Sequence, residues 1–264
     1  MQMQTDIFEA ALAFLLGAVV GSFLNVVIIR LPEGQSITYP ASRCPECGRN
    51  IRFYDNMPVL SFFLLGGHCR DCGNRISLRY PVIEFISACL CTALYLKCGF
   101  NAAFVTYLLF CSAMSVVFWI DLDHMIIPDA ISLNGIPVGI VASFAGLIPN
   151  LDWQSSLGGA FFGAAVLYVP AFLYEKIRGI EGLGGGDIKL LAMIGAFTGP
   201  YGVVFVLFFS SLTGSLAALV GMLTKGSAST TPIPFGPFLS STAILYVFSG
   251  KHIIDRFLEI SHFT

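Results

Sequence analysis

IFEAALAFLLGAVVGSFLNVVII, Ile7–Ile29, is a run of 23 residues with a single charged side chain, Glu9. About 20 apolar residues cross the hydrocarbon core of a bilayer as an α-helix, so the run has the length of a full span. A cleaved signal peptide would have a shorter apolar core preceded by bases, whereas Asp6 and Glu9 are acids. The stretch therefore reads as a retained transmembrane helix. One polar residue, Asn25, lies in its second half; hydrogen bonding to a neighbouring helix is as good a reading as a direct role.

The rest of the chain is of the same kind. Of its 264 residues 56% are hydrophobic, 24 are Phe and only 11% are charged, and the mean hydropathy is +0.80. Soluble domains lie far from these values. Apolar segments fall at 7–29, 81–97, 102–120, 128–148, 154–174, 188–199, 201–223 and 233–249. The sixth is short and the seventh follows directly on Gly199-Pro200, so the two read as a tight helical hairpin or one broken segment. The expected fold is an all-α polytopic membrane protein with about eight transmembrane helices, seven if that pair counts once. It divides into a first transmembrane helix (1–30), a loop domain (31–80) and a transmembrane domain (81–264). A net charge of −2 gives no electrostatic reason to expect a nucleic-acid partner.

Lys and Arg set the expected orientation. Loop 30–80 holds seven of the chain's 14 bases, and the positive-inside rule makes it cytoplasmic with the N-terminus periplasmic. Alternation places 121–127, 175–187 and 224–232 on the same side, adding Lys176, Arg178, Lys189 and Lys225 and leaving only Lys97, Lys251 and Arg256 outside.

That loop contains Cys44-Pro-Glu-Cys47 and Cys69-Arg-Asp-Cys72, with 21 residues between the pairs and a glycine (Gly48, Gly73) after each. Two such knuckles supply four thiolates, the donor set of a closed structural zinc site. A cytoplasmic loop argues against disulfides, and a metal gives a short segment with little core a means to fold. His68 reads as a bystander, and Cys89, Cys91, Cys98 and Cys111 read as small buried hydrophobes. Past the loop, Pro81 suits a helix first turn. Glu84 either stabilises that helix start or faces a polar cavity.

Two acidic clusters interrupt the apolar sequence. DLDHMIIPD, 121–129, carries Asp121, Asp123 and Asp129, and GLGGGDIKL, 182–190, carries Asp187. Asp129 follows Pro128 at an expected helix start, where first-turn stabilisation is the simpler reading. Asp121 and Asp123 diverge by about 200° on a helix, so only one can face a given bundle interior. Two aspartates converging from different helix ends can share one proton: the ionised member takes a proton from water and the neutral one polarises a peptide carbonyl. Gly184, Gly185 and Gly186 would leave room for an extended substrate backbone beside Asp187. A phosphate loop is a poor alternative, since GxxxxGK[ST] is absent. A proton- or cation-relaying transporter fits the composition, but its acids would lie near mid-membrane rather than at one face.

With these motifs in place the chain is similar to the bacterial type IV prepilin peptidases, members of the GxGD intramembrane aspartyl proteases. The resemblance covers nearly the whole chain. It is carried by GSFLNVVIIRLP (21–32), CPxC (44–47), CRxC (69–72), RYPVIE (79–84), DLDHMIIPD (121–129) and GLGGGDIKL (182–190). It implies a bifunctional enzyme of the bacterial inner membrane, with prepilins or pseudopilins as substrates. Such an enzyme cuts the leader after a Gly on the cytoplasmic face and then N-methylates the new terminus with S-adenosyl-L-methionine. It also implies Asp187 and Asp123 as the catalytic pair, with Gly184, Gly185, Gly186, Lys189, Asp121 and Asp129 toward the substrate. Cys44, Cys47, Cys69 and Cys72 would hold a structural Zn2+, and Gly67, Glu84 and Asn25 would serve the methyl donor.

Overall fold

The computed structural model describes residues 2–179, 184–225, 233–250 and 253. These are helical apart from loops and two isolated bridges, and the chain divides at Leu109 into two compact units.

The first unit is built on α1 (Gln2–Arg30), the five-residue α2 (Leu60–Leu64), α3 (Arg79–Cys98) and the start of α4 (Ala102–His124). Helices α1 and α3 run antiparallel. The Tyr95 hydroxyl donates to Glu9 at 2.7 Å near one end, and the Asn25 amide donates to the Tyr80 carbonyl at 3.2 Å near the other. Between them the backbones nearly touch. A Cβ at Gly17 would lie 2.5 Å from Cys91 Cβ, and one at Gly21 2.7 Å from Glu84 Cα. Lipid gives helices no hydrophobic reason to associate, so small residues that permit close packing do this work.

The second unit contains the rest of α4, α5 (Asp129–Phe144), α6 (Trp153–Arg178), α7 (Gly185–Lys225) and α8 (Gly236–Leu245), which runs into one π-turn at Tyr246–Gly250. Its core is the first part of α7: Leu190, Leu191 and Ile194 are fully buried, and Phe197 stacks on Phe110 at 4.6 Å. Gly159 and Gly163 of α6 bring its backbone against Gly195 and Leu191 of α7, and Ser156 Oγ donates to the Ala196 carbonyl at 2.6 Å. A side chain at Gly195 would collide with the Gly159 carbonyl. Gly195→Leu is expected to cost roughly 3 kcal/mol, a fall in Tm of about 10 °C for a unit of this size. A thermal-shift measurement in detergent checks this, with Gly221→Leu, which meets nothing within 4 Å, as the unperturbed control.

Helix α7 is broken at Gly199 (φ 71°, ψ −179°), ahead of Pro200. A Cβ on Gly195 would lie 2.9 Å from Val203 Cγ2. Eight residues of straight helix would put those positions about 12 Å apart. The chain therefore turns back on itself at Gly199, the hairpin alternative of the sequence reading. Helices occur at all eight expected positions, but among the described residues five elements, with α7 taken as one, are long and apolar enough to cross a membrane. Among the described residues α5, with 16 residues, and α8, with 10, are shorter than a full span.

Candidate functional site

The four loop cysteines converge in the first unit. Their Sγ atoms all lie within 4.8 Å of one another, and Cys44 Sγ sits 3.9 Å from Cys72 Sγ. A tetrahedral zinc with Zn–S bonds of about 2.3 Å has S···S edges of about 3.8 Å, so the donor set fits that ion. Each pair is held by the same turn. Gly48 N–H donates to the Cys44 carbonyl and Cys44 N–H to the Arg49 carbonyl; Gly73 N–H donates to the Cys69 carbonyl and Cys69 N–H to the Asn74 carbonyl. Both glycines have the left-handed φ this turn needs, 68° and 74°. The knuckles are tied together by Arg49 to Asp71 at 3.3 Å and by Asn74 to Glu46 at 3.4 Å. Backbone N–H groups of Cys72 and Asp71 pull the Cys69 thiol down to about 7. The Asn74 amide pulls Cys72 down as well, but burial and the three neighbouring thiols leave it up at about 12. His68 stays outside the cluster, its ring nitrogen paired with the Gly66 carbonyl at 2.6 Å. Cys91 and Cys111 are buried as expected and Cys98 is half-buried. Cys89 departs from the expectation and is exposed on α3, because it lies on the side of that helix turned away from α1.

Near the loop, Asn25 and Glu84 lie along one end of the α1–α3 seam. Asn25 bonds the Tyr80 carbonyl, and Glu84 Oε2 accepts the Val59 N–H at 2.7 Å. Gly67 packs on Phe62, whose ring a Cβ would approach to 3.1 Å. Asn25 and Glu84 thus have hydrogen-bond partners within the protein, and Gly67 lies against the Phe62 ring.

In the second unit the structure gathers the acidic clusters. Asp121 lies in the last turn of α4 and is 5% exposed; its Oδ2 accepts the Gly236 N–H at 2.9 Å. Helical phase turns Asp123 to the exposed side. Asp187, in the first turn of α7, has Oδ1 buried without a hydrogen-bond partner, and Asp121 is the charged group that acts on it. Of the two acids on α4, Asp121 is thus the buried one, within electrostatic reach of Asp187, and Asp123 lies on the exposed side. Gly186 packs on Ile127, where a Cβ would lie 3.1 Å from Ile127 Cβ. Beside it, among the described residues, Gly185 meets nothing within 4 Å and Gly184 only Asp187 Oδ2 at 3.7 Å, so no described side chain crowds these glycines beside the carboxylate. Lys189 and Asp129, expected to face a substrate, bind each other at 2.8 and 2.9 Å and tie the start of α5 to the start of α7. Gly182 of the glycine motif lies outside the described residues.

The residue the sequence reading missed is Gly236. A Cβ there would stand 2.5 Å from Asp121 Oδ2, so only glycine lets this amide reach the carboxylate. Its one local signal is the Pro234-Phe235-Gly236-Pro237 stretch before an apolar run. Nothing in that stretch points to a partner 115 residues away.

The chain matches the family described as "Bacterial Peptidase A24 N-terminal domain" over residues 15–98 and the "Type IV leader peptidase family" over residues 108–219. It is 35% identical to a prepilin leader peptidase/N-methyltransferase of Pseudomonas aeruginosa, over 94% of this chain and 93% of the relative. The same name belongs to a Bacillus subtilis protein 34% identical over 95% of this chain and 98% of the relative. It belongs also to a Myxococcus xanthus protein 38% identical over 83% and 65%. No solved structure matches the chain.

Proposed function

The chain belongs to the type IV leader peptidase family, and from that membership we propose that it removes the leader of prepilins or pseudopilins and then N-methylates the new terminus. The observation that carries the peptidase half is that buried Asp121 lies within electrostatic reach of Asp187, whose carboxylate adjoins Gly184 and Gly185. We assign the catalytic pair to Asp121 and Asp187, in place of the Asp123 that the family resemblance implied. Two close carboxyls hold one proton between them. The ionised member takes a proton from water as the oxygen attacks the scissile carbonyl carbon, and the protonated member hydrogen-bonds the carbonyl oxygen. The tetrahedral intermediate then collapses, the C–N bond breaks and a proton passes to the leaving amine. Asp187 Oδ1, with no partner in the protein, is the group placed to meet water or substrate. An extended peptide would lie along Gly184–Gly186. Orientation follows the base distribution, with the site and the cysteine loop on the cytoplasmic face of the inner membrane and eight crossings in all.

The four thiolates are assigned to structural Zn2+, which supplies crosslinking and no open coordination position. S-adenosyl-L-methionine supplies the methyl group; the new α-amine must be unprotonated to accept it.

The test mixes detergent-solubilised protein with a prepilin peptide carrying the leader junction and S-adenosylmethionine. Mass spectrometry is expected to show a leader-free product and then the same product one methyl heavier. An uncut peptide, with the protein shown folded by its melting curve, overturns the proposal.

Gly236→Ala gives a sharper result. The new methyl must push the Asp121 carboxylate aside, and a misplacement near 1 Å costs about 10²-fold in rate. Cleavage turnover should fall by that order with Tm little changed. Turnover equal to wild type would remove Gly236 from the site.

A further inference from the structure

Helix α2 contributes nothing to either site, yet three of its five residues are strongly exposed apolar side chains. Leu60, Phe63 and Leu64 fall on one helical face and are 57%, 72% and 76% exposed, and nearby Phe53 is 87% exposed. The other side of α2 is fastened down. Ser61 is buried and donates to the Tyr54 carbonyl at 3.1 Å, and Phe62 packs on Gly67. The helix is also fixed in depth. Val59, at φ 62° just before it, donates its N–H to Glu84 Oε2. Glu84 is the sixth residue of α3, about 8 Å along a helix long and apolar enough to cross the membrane.

From this geometry we propose that α2 is an interfacial anchor. Its Leu60–Phe63–Leu64 face lies in the boundary between headgroups and acyl chains of the membrane this protein spans. The hydrogen bond to Glu84 sets the start of α2 level with the second turn of α3, so its outer face meets lipid rather than bulk water. Charge agrees with this occupant. Arg49 and Arg52 precede the short 3-10 turn Phe53–Asn56 that leads into α2; both lie within 4.0 Å of Asp71, yet their side chains are 67% and 52% exposed and leave donors for anionic phosphates. An amphipathic face seated 5–10 Å into this boundary is a stable arrangement for short helices rich in Phe and Leu. The anchor would hold the cysteine knuckles against the bilayer surface, and it stands whether or not the proposed activity does.

The test uses the full chain in vesicles with Phe63→Trp as the only tryptophan, Trp119 and Trp153 having been replaced by Phe. Folding is confirmed by retained metal content and Tm. Brominated acyl chains are expected to quench the residue 63 fluorescence about twofold while aqueous iodide hardly touches it. Adding phosphatidylglycerol to phosphatidylcholine vesicles should raise the lipid quenching further. Ready quenching by iodide with none by brominated lipid overturns the proposal and leaves the face in water. Protection from both quenchers overturns it too, since the face would then be covered by protein.

Discussion

Asp187→Asn and Asp121→Asn are each expected to abolish leader cleavage, by at least about 10³-fold, with Asp123→Asn retaining most of it, if the proposed pair is the catalytic one. An amide can neither take a proton from water nor hold the shared proton, and either substitution removes half of a unit whose effects are non-additive. Asp187 is the member without a protein partner at Oδ1, so its loss leaves no group to meet water. Asp121 is buried and held by the Gly236 amide, which fixes one carboxylate oxygen and leaves the other for the shared proton. Asp123 is exposed on the far side of the same helical turn. Cleavage by purified variants, followed by mass spectrometry and paired with melting curves, decides the matter. An inactive Asp123→Asn beside an active Asp121→Asn would restore the assignment that the family resemblance implied.

Replacing Cys44 and Cys72 together with Ser is expected to remove the proposed zinc from the loop and unfold it. Structural zinc in small modules contributes apparent binding energies of about 10–16 kcal/mol, almost all of it folding energy where there is little core. The loop fits that case. Apart from Cys44 and Ser61, residues 31–78 bury no side chain fully, and their contacts are turns and exposed ion pairs such as Arg70–Asp55 at 2.6 Å. Elemental analysis should fall from one zinc per chain to none, and limited proteolysis should open sites within 31–80. Methyl transfer should be lost with the loop, while cleavage by the second unit persists at reduced rate. Acid should act as the mutation does, because protons compete with the metal for thiolates and affinity falls as pH falls. Stoichiometric zinc in the double variant would refute the four-thiolate site.

The two predictions differ in how far the sequence could reach. The knuckles were legible because a CxxC turn is local: thiols, glycine and backbone donors lie within six residues, and only the pairing of two such turns is long-range. The apolar runs were legible because lipid forces every backbone amide to be satisfied within its own helix, so span length shows directly in composition. Helix α2 was not legible, since five residues carry too little periodicity to stand out from a loop. Gly236 was invisible as a partner because its role depends on a residue on another helix.

The sequence by itself determined an all-helical membrane chain, a four-thiolate loop, and Asp187 as an acid set among glycines before an apolar segment. Only the tertiary structure told the two acids of α4 apart, burying Asp121 within electrostatic reach of Asp187 and leaving Asp123 exposed. Two acids two residues apart on a helix differ by rotation alone, and rotation is set by packing between helices. The same packing turned the chain at Gly199, brought Gly236 to Asp121, and joined Lys189 to Asp129 rather than leaving them open.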